Sequence, residues 1–228
     1  MTEMATNRAK AIIFDFGGVI SRTLFETHAL TEASLGLPYG SLTWMGPFDV
    51  ETDPLWRDMQ ADIISERDYW HARTREVGEL VGKDWTKFSD FVKAARGDAP
   101  AEVIRPEFVE IVDAARAAGV RLAVLSNELD LFYGADFRTK LPFLEHFEVI
   151  VDATYTGILK PDPRAYEACL GELHLTAGDC VFVDDQDRNI KGAEKVGLRA
   201  VAFDVTRPAE SYARVRETAG LEPTGGTA

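Results

Sequence analysis

Cysteine is scarce in this 228-residue chain. Cys169 and Cys180 form neither a CxxC pair nor a regular framework, which excludes a disulfide-stapled scaffold and predicts two packed thiols. Basic charge is also short, with 25 Lys and Arg against 38 Asp and Glu and a net charge of −13. A protein that binds a phosphate backbone needs a basic stripe to displace counterions, so nucleic acid is not expected as a partner. An anionic small molecule would need local cations to overcome the global field. Long apolar runs are missing too, and none approaches the ~20 residues of a membrane span. Met1 to Lys10 is polar and the apolar stretch from Ala11 is broken at Asp15, unlike a secretory signal, so a cytoplasmic protein away from membranes is expected. Repeats and low-complexity blocks are absent.

What is present is an ordinary globular composition, 46% hydrophobic and 28% charged. Short β-branched runs at Ala11 to Phe14, Arg121 to Leu125, Glu148 to Val151, Cys180 to Val183 and Arg199 to Phe203 read as strands. Between and after them, Arg105 to Ala118 carries Phe108, Ile111, Val112 and Ala115 at helical spacing and stops at Gly119. Pro163 to Leu173, Arg188 to Val196 and Pro208 to Ala219 have the same form, with proline or glycine punctuation. Alternation of strand and helix predicts an α/β fold with a doubly wound parallel sheet. The interval from Arg22 to about Arg96 breaks the rhythm: Phe25 to Leu35, Glu66 to Leu80 and Asp84 to Ala95 are helical, while Gly36 to Pro54 reads as loop. The expected organisation is a core of residues 11–22 and 97–220, an inserted all-helical cap at 23–96, and tails at 1–10 and 221–228.

In an open parallel sheet the ligand sits at the carboxyl ends of the strands, so polar residues there are the candidates for chemistry. The first strand runs into Asp15, followed by Phe16, Gly17 and Gly18. That acid could form a turn or cap a helix; with glycines behind it, it could equally present an open carboxylate beside free backbone amides. The second strand ends in Ser126 and Asn127, which could cap a helix or bind a ligand. Lys160 stands before Pro161, which biases its backbone towards extended conformations. The fourth strand ends in Asp184 and Asp185, with Asn189 close behind. Two adjacent acids after a buried strand call for compensation by helix-terminal amides or by a hard divalent cation.

Taken in order, Asp15-Phe16-Gly17-Gly18-Val19, Leu125-Ser126-Asn127, Lys160-Pro161-Asp162-Pro163 and Val183-Asp184-Asp185 with Asn189 resemble the motifs of the haloacid dehalogenase-like hydrolases. The pattern is similar to the branch with sugar-phosphate phosphatases and the phosphatase domain of soluble epoxide hydrolases. The resemblance implies a Rossmann-like core with a helical cap, and a Mg²⁺-dependent phosphatase whose nucleophile is Asp15. It further implies Mg²⁺ ligation by Asp15, the Gly17 carbonyl and Asp185. Gly18, Ser126, Asn127 and Lys160 would bind phosphate, with Ser126 and Lys160 also serving catalysis and Asp184 and Asn189 in support. The expected substrate is a small phosphorylated metabolite, handled by a monomer or homodimer.

One position departs from the pattern. Two residues after the nucleophile the phosphatases carry an acid that protonates the leaving group; here it is Gly17, which puts in doubt about 10²- to 10⁴-fold of rate. Three readings follow: a phosphatase that uses another acid such as His28 or His71 or favours good leaving groups, a carbon-halogen hydrolase, or a non-catalytic binding module. Trp44, Phe48, Trp56, Tyr69 and Trp70 could line a pocket or form the cap's own core.

Overall fold

The structure, a computed structural model, describes residues 8–96, 100–127 and 129–222. Most of the expected tails at 1–10 and 221–228 therefore falls outside the described residues. Ala9 and Lys10 are inside them, and their amides donate to the carbonyls of Ala219 and Asp179.

Among the described residues five short strands form one sheet: β1 (Ala11–Phe14), β2 (Arg121–Ser126), β3 (Val149–Asp152), β4 (Cys180–Asp184) and β5 (Arg199–Ala202). In chain order the α-helices are α1 (His28–Leu35), α2 (Pro54–Gln60), α3 (Glu66–Leu80), α4 (Phe88–Arg96), α5 (Pro106–Ala117), α6 (Leu129–Tyr133), α7 (Ala153–Thr156), α8 (Pro163–Leu173), α9 (Asp187–Lys195) and α10 (Pro208–Ala219). The strand order is β3-β2-β1-β4-β5 and every pairing is parallel, the doubly wound arrangement expected. A parallel sheet covered on both faces requires apolar side chains at successive positions, and β1 and β4 are buried along their whole length. The chain leaves β1 for β2 on one side and later returns to β4 on the other, so the order reverses at β1. Loops diverge there and open a crevice at the strands' carboxyl ends.

The chain divides into two compact units. The sheet unit comprises residues up to Ser21, Ile104–Leu129 and the chain from Pro142 onward. Its interior is built from Ile13, Leu125, Phe182, Ala165, Tyr166, Cys169 and Leu173, with the Tyr166 ring edge-on to Phe182 at 5.4 Å. Both cysteines lie in this interior, where burial pushes their thiols up to about 12 for Cys169 and about 11 for Cys180 and keeps them protonated.

The second unit comprises Arg22–Val103 and Asp130–Leu141. It is helical and has an apolar centre of its own containing Phe25, Trp44, Trp56, Met59, Tyr69, Val77 and Phe91. Trp44, Trp56 and Tyr69 are buried in that centre with Trp70 packed against it, so these aromatics are core; Phe48 is exposed. Aromatics pair edge to face here, as Phe25 does with Trp44 at 5.5 Å and with Trp56 at 5.2 Å. The stretch read as loop at 36–54 contains two 3-10 turns and leads into α2, which begins at Pro54. Asp53 starts that helix by accepting from the Trp56 amide at 2.9 Å, and its carboxylate also takes the Tyr69 hydroxyl at 2.7 Å and Arg73 at 2.5 Å. Asp130–Leu141 belongs to the same unit, tied by Lys93 to Asp136 at 3.2 Å.

Candidate active site

Strand register sets the site. Phe14 is level with Val124 on one side and Val183 on the other, so Asp15 emerges beside Leu125 and Asp184. Ser126 and Asp185 stand one residue further out on the flanking strands. The Asp15 amide still donates to the Val183 carbonyl at 2.8 Å, which holds its backbone in line with the sheet. Beyond it, Phe16–Ile20 makes a wide helical turn in which Gly17 is extended and Gly18 is left-handed with φ +77°. A β-carbon on Gly18 would lie 2.7 Å from Asp185 Oδ2, so glycine here allows the turn to approach that carboxylate.

Lys160 links the polar groups. Its Nζ donates to Asp15 Oδ1 at 2.8 Å and to Asp184 Oδ2 at 2.6 Å, and the side chain is buried. Its backbone is held in turn by Asn127, whose Oδ1 accepts from the Lys160 amide at 2.6 Å while Nδ2 donates to the Lys160 carbonyl at 3.2 Å. The Lys160–Pro161 peptide is cis. Asp184 is saturated further by the Gln186 amide at 2.8 Å and by Asn189 Nδ2 at 3.0 and 3.2 Å. Tyr166 anchors this last group, its hydroxyl donating to the Asn189 carbonyl at 2.7 Å.

Carboxylate oxygens of Asp15, Asp184 and Asp185 lie within 4.8 Å of one another. Burial pushes the Asp15 carboxyl up to about 7, against the pull of Lys160 and with the help of Asp184. Burial alone would lower the Lys160 ammonium, but Asp15 and Asp184 outweigh it and hold it above the usual lysine range. A carboxyl so reluctant to ionise marks a place where further positive charge would be stabilising. The donor set is all oxygen, as a hard cation requires, and Asn189 Oδ1 is buried without a partner next to Asp184. Both oxygens of Asp184 already accept from Lys160, Asn189 and Gln186, whereas Lys160 meets Asp15 through Oδ1. The residues present fit Mg²⁺.

Of the residues singled out in the sequence, the structure thus gathers Asp15, Asp184, Asp185 and Lys160 directly. Asn127, Asn189 and Gly18 join through their contacts with Lys160, Asp184 and Asp185. Gly17 and Ser126 share the location by adjacency to Gly18 and Asn127, with Ser126 buried at the end of β2. His28 lies in the helical unit with its ring against Trp44 at a centroid separation of 4.3 Å. Burial lowers its pKa to about 4, so it is neutral at physiological pH and offers no imidazolium proton; His71 is exposed. Sequence reading missed that Asp184 is the direct counterion of Lys160, and it passed over Arg105 and Tyr212. Their bonds go to backbone carbonyls of Gly18 and Val19, 87 and 193 residues away, a relation that no side-chain spacing signals.

The family profile described as haloacid dehalogenase-like hydrolase matches residues 9–197. Protein CbbY of Cupriavidus necator is 31% identical over 216 residues, covering 88% of this chain and 80% of that protein. Phosphatase MT3486 of Mycobacterium tuberculosis is 28% identical over 207 residues, covering 85% and 87%. Against acyl-CoA dehydrogenase family member 10 of Mus musculus the identity is 27% over 199 residues, which is 86% of this chain but only 18% of that protein's length. Among solved structures, L-2-haloacid dehalogenase from Xanthobacter autotrophicus gives a TM-score of 0.57 at 19% identity, covering 86% of this chain and 77% of that one. CbbY from Rhodobacter sphaeroides in complex with xylulose-(1,5)bisphosphate gives 0.55 at 20%, covering 86% of each. At such identities the likeness speaks for the fold, and that fold serves both a dehalogenase and CbbY.

Proposed function

We propose that this chain, which belongs to the haloacid dehalogenase-like hydrolases, is a Mg²⁺-dependent phosphatase of a small phosphorylated metabolite with Asp15 as its nucleophile. The observation that carries the reading is the ammonium of Lys160 bonded to both Asp15 and Asp184 where three carboxylates converge. A lone buried carboxylate would repel a phosphate dianion; one already paired with a fixed cation can approach it. The names of Phosphatase MT3486 and of the CbbY structure with a bound sugar bisphosphate point to the same chemistry.

In the proposed reaction an Asp15 oxygen attacks phosphorus in line with the ester oxygen. The new P–O bond forms as the ester P–O bond breaks, and its electron pair leaves with the alcohol oxygen. The leaving oxygen takes its proton from water, since Gly17 offers none. Water then attacks phosphorus in the aspartyl-phosphate, releasing inorganic phosphate and restoring the Asp15 carboxylate. Lys160 fixes Asp15 and balances the dianion throughout, while Asn127 holds the Lys160 backbone and Asn189 holds Asp184. Ser126 and the Gly18 amide would donate to phosphoryl oxygens. Mg²⁺, held by Asp15, Asp185 and the Gly17 carbonyl, would neutralise charge on the phosphoryl oxygens.

A panel of phosphate monoesters assayed with Mg²⁺, with EDTA and with Asp15→Asn tests the proposal. Metal-dependent phosphate release that disappears in Asp15→Asn is expected. Chloride release from 2-haloacids untouched by EDTA would replace the proposal with carbon-halogen hydrolysis, which Gly17 would suit because halide needs no proton donor. Silence in both assays would favour a binding module.

A further inference from the structure

The turn after Asp15 is unusual in how its carbonyls are satisfied. Within Phe16–Ile20 the backbone is not regularly helical at Gly17 and Gly18, so those groups cannot rely on a helical ladder. Two buried side chains take the next carbonyls instead. Arg105, at the residue before α5, donates from Nε to the Gly18 carbonyl at 2.9 Å. Tyr212, on α10, donates its hydroxyl to the Val19 carbonyl at 2.5 Å. Both are buried, and a buried guanidinium or hydroxyl is costly unless it is bonded.

The two donors are braced by one ring. The Arg105 guanidinium sits 5.6 Å from the centroid of Phe203, whose ring meets Tyr212 edge-on at 4.9 Å. Phe203 follows β5 directly, and its amide donates to the carbonyl of Asp184 at 2.9 Å. Arg105, Phe203 and Tyr212 therefore form one packed unit bonded on one side to the turn behind Asp15 and on the other to the backbone behind Asp185. Between these two segments the Gly18 backbone lies so close to the Asp185 side chain that an added β-carbon would force that carboxylate to shift.

We infer that Arg105 and Tyr212 are positioning residues, a two-point clamp that holds the Gly17–Gly18 turn against Asp185 and so sets the metal-binding geometry. The inference rests on the proposed function for its catalytic consequence, but the clamp itself is a statement about backbone mobility. Without either donor the turn can swing away from Asp185, and the Gly17 carbonyl moves with it. Phosphate ester binding keeps Lys160 and Ser126 and loses only what the Gly18 amide supplies.

The test combines hydrogen exchange with kinetics on Arg105→Met, Arg105→Lys and Tyr212→Phe; the last removes one oxygen and keeps the ring, so it preserves the packing. Amide exchange in a peptide spanning residues 15–21 should accelerate roughly tenfold or more in Arg105→Met and Tyr212→Phe, with exchange in α8 unchanged. The Mg²⁺ concentration for half-maximal hydrolysis of p-nitrophenyl phosphate should rise roughly tenfold, the lower end of what losing a ligand-orienting group costs. KM for the ester should rise less than the Mg²⁺ requirement, and Arg105→Lys should recover part of both effects. Unchanged exchange at 15–21 overturns the clamp. Faster exchange with an unmoved Mg²⁺ dependence overturns its role in the metal site. A wild-type protein without Mg²⁺-dependent phosphate release would defeat the proposed function instead, and the exchange measurement would then decide the clamp alone.

Discussion

Replacing Lys160 by Met removes the cation that two buried carboxylates share, and its effect can be worked out from the contacts. Asp15 and Asp184 lose partners at 2.8 and 2.6 Å, and neither can turn to bulk solvent, since Asp184 is fully buried and the side chain of Asp15 is only 14% exposed. Breaking a buried pair from one side typically costs ~3–5 kcal/mol, because a desolvated charge is left unmatched. Here the lower end applies. With its pKa already near 7 in the presence of Lys160, Asp15 takes up a proton once the ammonium is gone, and chiefly Asp184 remains stranded. Asp184 still keeps the Gln186 amide and Asn189, so about 3 kcal/mol is expected. For a chain of this length that lowers Tm by roughly 6–12 °C. Circular dichroism melts at pH 7 measure it, and the double variant Lys160→Met/Asp184→Asn should regain at least half of the loss by removing the stranded charge. Melting within about 1 °C of wild type, or a double variant worse than the sum of the single ones, would show that the Lys160 ammonium does not stabilise the buried carboxylates. Phosphate release should fall roughly 10²- to 10³-fold in the single variant, the usual cost of losing one oriented donor.

Three further outcomes follow from individual positions. Gly17→Asp should raise turnover of alkyl phosphates, whose leaving oxygen needs a proton, far more than that of p-nitrophenyl phosphate; equal effects on both would show that another acid already serves. Gly18→Ala places a β-carbon 2.7 Å from Asp185 Oδ2 at a left-handed φ, so it should weaken Mg²⁺ activation roughly tenfold or more; wild-type Mg²⁺ dependence would show that Asp185 is no ligand. His28 supplies a pH dependence. Its pKa falls from 6.5 when unfolded to about 4 when folded, so between these values the unfolded chain binds a proton that the native state refuses. Stability from this group is therefore complete above pH 6.5 and is lost as pH falls towards 4, by up to roughly 3 kcal/mol. Urea titrations of wild type and His28→Leu should show a shallower pH slope in the variant; identical slopes would sink the assignment.

The strands were legible because parallel strands covered on both faces must be apolar at every position, and the runs Ala11 to Phe14 and Cys180 to Val183 have no other reading. Asp15, Ser126 and Asp185 stood out because each ends such a run. Chain position could not reveal the division of labour between the adjacent acids. Only strand register sets Asp184 beside Asp15, where Lys160 reaches both, and only the left-handed turn at Gly18 brings backbone up to Asp185. The helical unit was harder to read. Its α2 begins at Pro54 inside a stretch dense in glycine and proline, and its start depends on the buried Asp53 carboxylate, whose partner Arg73 lies 20 residues away. Asp130–Leu141 lies between two strands in sequence yet packs with the helical unit, a choice made by tertiary contacts such as Lys93 with Asp136. The described residues contain no helix long and apolar enough to cross a membrane, matching the absence of long apolar runs.

If Asp15 itself carries the phosphoryl group, the aspartyl-phosphate can be trapped on it. Wild-type protein turning over p-nitrophenyl phosphate with Mg²⁺ is quenched in acid, reduced with borohydride and digested, and the peptide containing residue 15 is weighed. Reduction of an aspartyl-phosphate converts the residue to homoserine, so homoserine at position 15, absent without substrate, is the predicted result. Phosphate released by an enzyme whose Asp15 is never converted would rule out Asp15 as the nucleophile.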